Sequence, residues 1–281
     1  MVKNKPVYSF EEADSKKRML LGGKGAGLSE MTRLKLPVPV GFTITTEVCT
    51  KYYDNNKKLP KDVMPAVMKN IAKMEKKTGK KWNSIKNPLL VSVRSGAATS
   101  MPGMMDTILN LGLNEKTVEG LAEQTKNPRF SWDSYRRFIQ LFGKVVFGVK
   151  DEKFDYILDE VKKKQGIQDD SKLNVESLKT IVLEYKKICE KHTKRKFPDT
   201  PDEQLVLAIE AVFKSWMGER AIVYREKNNI TKDIANGTAV NIVAMVFGNM
   251  GDDSATGVVF TRNGHNGKKE MEGEYLINAQ G

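Results

Sequence analysis

Two basic residues set among small, flexible neighbours are the strongest candidates for chemistry in this chain. Arg94 follows the apolar run Leu89, Leu90, Val91, Val93, and is itself followed by Ser95, Gly96, Ala97, Ala98, Thr99, Ser100 and then Pro102-Gly103. A strand that ends on a guanidinium beside small residues offers a fixed fork of donors and a closely approachable row of backbone N–H groups, which suits an anion. Lys24 lies in Gly22-Gly-Lys-Gly-Ala-Gly-Leu28, a glycine-rich turn that runs into a helix carrying Leu28, Met31 and Leu34. An ammonium at a helix N-terminus can hold phosphate oxygens. Both features also have plain readings: a solvated arginine in an ordinary loop, and an exposed lysine in a glycine turn.

Neither glycine pattern is one of the familiar nucleotide fingerprints. The P-loop spacing G-x-x-x-x-G-K-[ST] has no match, and glycines at 22, 23, 25 and 27 do not fit G-x-G-x-x-G. Nucleophilic catalysis is poorly supported. The two histidines, His192 in a lysine-rich helix and His265 in a hairpin turn, have no acid partner at a useful spacing, and no His/Cys/Asp cluster suits zinc. Chemistry here would work by positioning and charge neutralisation, the logic of phosphoryl transfer.

The elements that must hold these residues divide into an α/β frame and a helical stretch. Tyr8-Ser-Phe10 precedes an acidic helix start, Pro37 to Thr46 reads as a turn and short strand, and residues 62–78 repeat Val63, Val67, Ile71 and Met74 at helical spacing. From about 114 to 200 strand signals vanish, and helical periodicity recurs through 115–126, 131–147, 152–165 and 175–192. The stripe Trp132, Tyr135, Phe138, Ile139 and Phe142 reads as core. A helix from Leu205 to Tyr224 leads to a loop at 228–238, the apolar strand Ala239–Phe247, a flexible loop Gly248–Gly257, the strand Val258–Thr261, a hairpin at Gly264–Gly267 and a returning strand over 272–278. The chain stops at Gln280-Gly281 straight after that strand, which suggests a piece of a longer protein.

With 281 residues, 40% apolar and 29% charged, the composition is that of a globular protein with one large or two modest domains. No run of 18 or more apolar residues exists, so no membrane span is expected, and Met1 to Val7 lacks a signal-peptide core. Cys49 and Cys189 read as reduced structural thiols of a cytoplasmic protein. The net charge of +12 is spread over lysines interleaved with acids, so a nucleotide accounts for it as well as nucleic acid does, and no nucleic-acid partner is expected.

Beyond these physical readings, the chain closely resembles the N-terminal nucleotide-binding domain of the pyruvate, phosphate dikinase family. The resemblance runs through Gly23 to Leu28, Leu36 to Phe42, Thr45 to Thr50, Ser92 to Ala97, Ser100 to Gly112 and Asp133 to Phe138. It continues in Arg220 to Arg225, Gly237 to Asn241, Met245 to Asn249, Phe260 to Asn263 and Leu276 to Gly281. The block Ser100-Met-Pro-Gly-Met-Met105 favours the phosphate-dependent enzyme over the related phosphoenolpyruvate synthase type. A non-catalytic nucleotide-binding module is the remaining alternative.

The resemblance implies an α+β, ATP-grasp fold with an inserted helical subdomain. Residues 1–113 and 201–238 would form the first subdomain, 114–200 the insertion, and 239–281 part of the second subdomain. It implies ATP with Mg2+ as the ligand, and pyrophosphoryl transfer from ATP to a histidine on a separate phosphohistidine domain that visits a pyruvate-binding barrel, in an enzyme expected to be a homo-oligomer. Lys24 and Arg94 would polarise the ATP phosphates, and Thr99, Ser100, Met101, Gly103 and Met104 would cover them, Met104 being equally compatible with packing. Val243, Ala244 and Met245 would line the adenine pocket, and Asp253, Ser254, Thr256 and Gly257 a second phosphate-side loop. The family's metal carboxylates would lie beyond Gly281. Gly264-His265 stands where the family commonly has Asn-Pro, which loosens the hairpin.

Overall fold

The computed structural model describes residues 4–280; Met1–Lys3 and Gly281, the point where the sequence suggests a break, lie outside the described residues. A five-stranded, wholly antiparallel sheet forms the frame, from β1 (Val7–Ser9), β2 (Gly41–Ile44), β3 (Val91–Ala97), β4 (Thr107–Leu111) and β5 (Thr238–Ala244). Its order is β1-β2-β5-β3-β4, so β5, the last of these strands in sequence, sits at the centre. This is the strand at which the sequence places the start of a second subdomain. It pairs with β2 on one side and with β3 along its length on the other, its apolar residues buried in the core and its Asn241 accepting from the Thr43 hydroxyl on the opposite face. It also ends at Ala244, short of the expected Phe247.

The helices are α1 (Arg18–Arg33), α2 (Thr46–Asp54), α3 (Val63–Thr78), α4 (Glu115–Thr125), α5 (Pro128–Phe147), α6 (Asp151–Gln165), α7 (Val175–Thr193), α8 (Pro201–Ser215) and α9 (Glu219–Lys227). Four of them fill the stretch where strand signals vanish. α5 begins at Pro128, capped by Asn127, whose side chain accepts from the Phe130 N–H. Its aromatic stripe is buried as expected, with Tyr135, Phe138, Ile139 and Phe142 fully inside and Phe142 5.3 Å from Phe197. α5 packs on β4 as well as on α4 and α7, so the helical layer and the sheet share one apolar core.

Two expectations fail locally, and two elements are new. Residues 10–17, expected to begin an acidic helix, form turns, and the helix starts at Arg18. The single helix over 205–224 is two, broken at Trp216–Gly218. A strand at Thr107–Leu111 and a helix at Thr46–Asp54 were not foreseen.

Beyond Ala244 the chain leaves the sheet. β6 (Ala255–Phe260) and β7 (Glu272–Ile277) make a separate antiparallel ribbon, exposed along nearly all of both strands. The segment that connects it to the sheet is fastened to the start of α5, where Asn127 donates to the Met250 carbonyl at 2.8 Å and Phe247 meets Phe130 edge-on at 5.0 Å.

Candidate functional site

Alternation along the strands sorts the sheet into two faces. On one, Phe42, Ile44, Val93, Val240 and Ile242 are fully buried and join the core with Leu205, Ile209 and Val212 of α8. The other face is polar. Thr43, Asn241, Arg94 and Thr107 stand in register across β2, β5, β3 and β4. The Thr43 hydroxyl donates to Asn241 Oδ1 at 2.9 Å. Ser92, Gly96 and Val243 share this face.

α1 covers only one end of the polar face, and its glycines determine how closely. The helix breaks at Gly22, which has φ 70 and ψ 164, and restarts at Gly23. A Cβ at Gly22 would lie 1.8 Å from the Gly96 carbonyl oxygen, and one at Gly25 would lie 2.7 Å from Thr43 Oγ1. Glycine is needed because the helix start rests directly on β3 and on the Thr43–Asn241 pair. That docking places Lys24 over Gly96, with its Nζ donating to the Ser95 carbonyl at 2.9 Å.

Lys24 is exposed as a residue, yet its ammonium is held against the sheet by the Ser95 carbonyl. Partial loss of hydration and then repulsion from Arg94 hold its pKa below the ordinary lysine value. The two expected cations therefore do lie together, close enough to feel each other's charge. Arg94 is exposed and has no carboxylate within ion-pair distance among the described residues.

Two adjoining cavities flank this pair. One of about 450 Å³ is lined by Arg18, Gly23, Lys24, Ser95 to Ala97, Thr99 to Gly103, Met105 and Thr107. The other, of about 220 Å³, is lined by Pro39, Ser92, Arg94, Leu109, Val243 to Asn249, Thr256 and Gln280. Met101, buried in the core, pins the loop of the first cavity, and Gly103 turns it at φ 71. Asp106 closes the loop beside Arg220, 3.5 Å away; burial raises its carboxyl pKa despite that guanidinium.

Thr99, Ser100, Met101 and Gly103 thus line the Lys24 cavity, and Val243, Ala244, Met245 and Thr256 line the Arg94 cavity. Met104 lines neither and packs, half-buried, against the core. Asp253, Ser254 and Gly257 line neither. The Ser254 carbonyl accepts from the Asn278 N–H at 2.7 Å, and Gly257 lies in the ribbon opposite Tyr275. Arg18, Ser92 and Leu109 were missed in the sequence. Ser92 lies two residues from Arg94 and so on its face, a signal that counting along the strand supplies; Arg18 and Leu109 carry none.

Larger depressions lie elsewhere. A groove of about 930 Å³ runs between α6 and α7, and a cleft of about 560 Å³ lies beside Arg136, Arg137 and Lys144. In that cleft Arg136 and Arg137 are paired with Asp133 at 2.7 and 2.9 Å, and Lys144 with Asp151. Size does not single out the site; convergent donors without acidic partners do. Among the described residues no three His, Cys, Asp or Glu side chains gather as a metal cage.

These features define an α+β domain presenting unpaired cations beside a backbone-lined loop, a class of domain suited to holding an anion. Residues 18–58 and 55–281 match the family model described as the pyruvate phosphate dikinase, AMP/ATP-binding domain. The chain is 54% identical over 275 residues to pyruvate, phosphate dikinase of Entamoeba histolytica, covering 98% of this chain and 31% of that protein. It is 51% identical over 276 residues to the Clostridium symbiosum enzyme, with 98% and 31% covered. To pyruvate, phosphate dikinase 1, chloroplastic, of Arabidopsis thaliana it is 47% identical over 284 residues, with 100% and 29% covered. The chain therefore belongs to the pyruvate phosphate dikinase AMP/ATP-binding domain family. It spans about a third of the length of the curated relatives it matches.

Proposed function

We propose that this chain is the ATP-binding part of a pyruvate, phosphate dikinase, an ATP-grasp domain that hands the pyrophosphoryl group of ATP to a histidine on another domain. The observation that carries the reading is the Lys24–Arg94 pair, two neighbouring cations without acidic partners among the described residues, beside a loop of small residues that lines a cavity. In it Lys24 and Arg94 take the phosphates, the Thr99–Gly103 loop covers them, and Val243 to Met245 receive the adenine. The intact enzyme would interconvert ATP, phosphate and pyruvate with AMP, pyrophosphate and phosphoenolpyruvate, through a phosphohistidine domain and a pyruvate-binding barrel in the rest of its chain.

Charge on the transferring phosphates rises toward the transition state, so donors fixed in advance lower the barrier. Losing one such donor costs about 2.7–4 kcal/mol in comparable sites. Lys24 is pre-oriented by the Ser95 carbonyl, and the backbone of Arg94 is fixed by the pairing of β3 on both its edges. Mg2+ would neutralise phosphate charge when bound. The carboxylates described here do not fit its cage: Asp106, the acid at the loop, is turned to Arg220, so no step is assigned to the metal.

Calorimetric titration of the chain with ATP and AMP, with and without Mg2+, tests the reading. ATP should bind more tightly than AMP, weakly overall and with little response to Mg2+. Equal affinity for the two nucleotides would remove the phosphate assignment, and tight Mg2+-dependent binding would show that metal carboxylates lie within this chain after all. The chain alone should form no phosphoenolpyruvate.

A further inference from the structure

Arg18 is a cation that the readings above leave without a role. It sits in the short helical turn before the break at Gly22, and its Nε donates to the Ala98 carbonyl at 2.7 Å. Ala98 is the residue from which the Thr99–Asp106 loop departs. The side chain lines the same cavity as Lys24, Thr99, Ser100 and Gly103. Among the described residues it has no carboxylate within ion-pair distance, and its terminal amino groups donate to no protein acceptor.

Gly23 shows that the space for this guanidinium is kept clear. A Cβ at Gly23 would stand 3.0 Å from Arg18 Nη2 and 3.3 Å from the Ala98 oxygen. A side chain there would press on both partners of the Nε–carbonyl bond. The sheet, the helix start and the loop root thus meet at one guanidinium, with one edge engaged by backbone and the other facing the cavity.

We propose that Arg18 is a third phosphate-binding cation of this site, and that it fixes the root of the covering loop as it does so. The inference rests on the reading of the Lys24 cavity as the phosphate site. A guanidinium can perform both tasks because its planar fork presents donors along separate edges. An ammonium is a compact point charge and cannot hold the carbonyl and a phosphate in that fixed arrangement. The ligand class is the polyphosphate chain of a nucleotide; AMP, with a single phosphate, would gain much less.

The test compares the wild-type chain with Arg18→Ala, Arg18→Lys and Lys24→Ala. Affinities for ATP, AMP and inorganic tripolyphosphate are measured by calorimetry, and hydrogen exchange is followed across residues 99–106. Arg18→Ala should weaken ATP and tripolyphosphate about tenfold, the size expected for one charged hydrogen bond, and change AMP less than about twofold. Loop amides should exchange faster in the same variant without ligand. Arg18→Lys should recover part of the tripolyphosphate affinity while leaving loop exchange fast, a split that general damage to the fold would not produce. The proposal fails if Arg18→Ala binds ATP normally while Lys24→Ala does not, if ATP and AMP weaken equally, or if loop exchange is unchanged. Should Lys24→Ala also bind tripolyphosphate like wild type, or the wild type bind neither probe, the phosphate reading of the cavity falls and the Arg18 assignment with it.

Discussion

Lys24 and Lys186 are the same residue type in opposite circumstances. Lys186, on α7, is buried; its Nζ reaches Glu115 at 2.9 Å and Asp199 at 3.4 Å and lies 5.7 Å from the Tyr135 ring centre. Burial would pull its pKa down, but Tyr135 and Glu115 more than compensate and raise it. Lys24 has partial desolvation and a neighbouring arginine, and its pKa falls. The arginines divide the same way. Arg136, 3% exposed, is held by Asp133 at 2.7 Å, whereas Arg94 stands open on the sheet. In the helical layer opposite charges satisfy each other and maintain the packing. On the polar face of the sheet like charges are kept together without acidic partners among the described residues, an arrangement that costs stability.

The largest effect that would sharpen this contrast belongs to the helical layer. Asp133→Asn leaves buried Arg136 with only the more distant Asp170 carboxylate at 3.8 Å, which costs about 3–5 kcal/mol and should lower the melting temperature markedly. Burial opposes ionisation of Asp133, yet the charges of Arg136 and Arg137 outweigh it and hold the carboxyl below its usual range. Its contribution is therefore present above the unfolded value near 3.9 and is lost as pH falls through the lower folded value. A pH series of melting curves should show that acid-side loss in the wild type and not in Asp133→Asn. If the variant melts like wild type, the helical layer does not depend on its paired charges.

A smaller effect concerns the sheet face. With a depressed pKa, Lys24 begins to lose its proton at a lower pH than an ordinary lysine, so ATP affinity should decline on the alkaline side before pH about 10.4. Lys24→Arg, which keeps its charge there, should flatten that decline. An identical alkaline profile in both proteins would separate Lys24 from the ligand.

How much of this was legible in the sequence depends on the range of the contacts involved. Helices in 114–200 declared themselves through local periodicity, and the aromatic stripe from Trp132 to Phe142 is core because a 3.6-residue repeat specifies one face. Arg94 and Lys24 stood out by residue type, and the structure does bring them together. The glycines around Lys24 read locally as a flexible turn, whereas in the structure they allow close packing. Gly22 lets the helix settle on Gly96 and Gly25 lets it settle on Thr43 and Asn241, and the Gly22–Gly96 contact spans more than seventy residues, which no local pattern encodes. The same limit hid β5's place: its apolar run reads as a strand, but pairing with β2 and β3 is decided some 150 to 200 residues away. Arg18 carries no local signal because the Ala98 carbonyl it holds is eighty positions distant.

The central claim is that cations without acidic partners serve a ligand while paired ones serve the fold. Arg94→Ala and Arg136→Ala, each assayed for melting temperature and for ATP affinity, test it most directly. Arg94→Ala should keep the wild-type melting temperature within a few degrees and lose about tenfold or more in ATP affinity. Arg136→Ala should melt well below wild type because Asp133 is left buried beside a cavity. A strongly destabilised Arg94→Ala that still binds ATP normally would contradict the account.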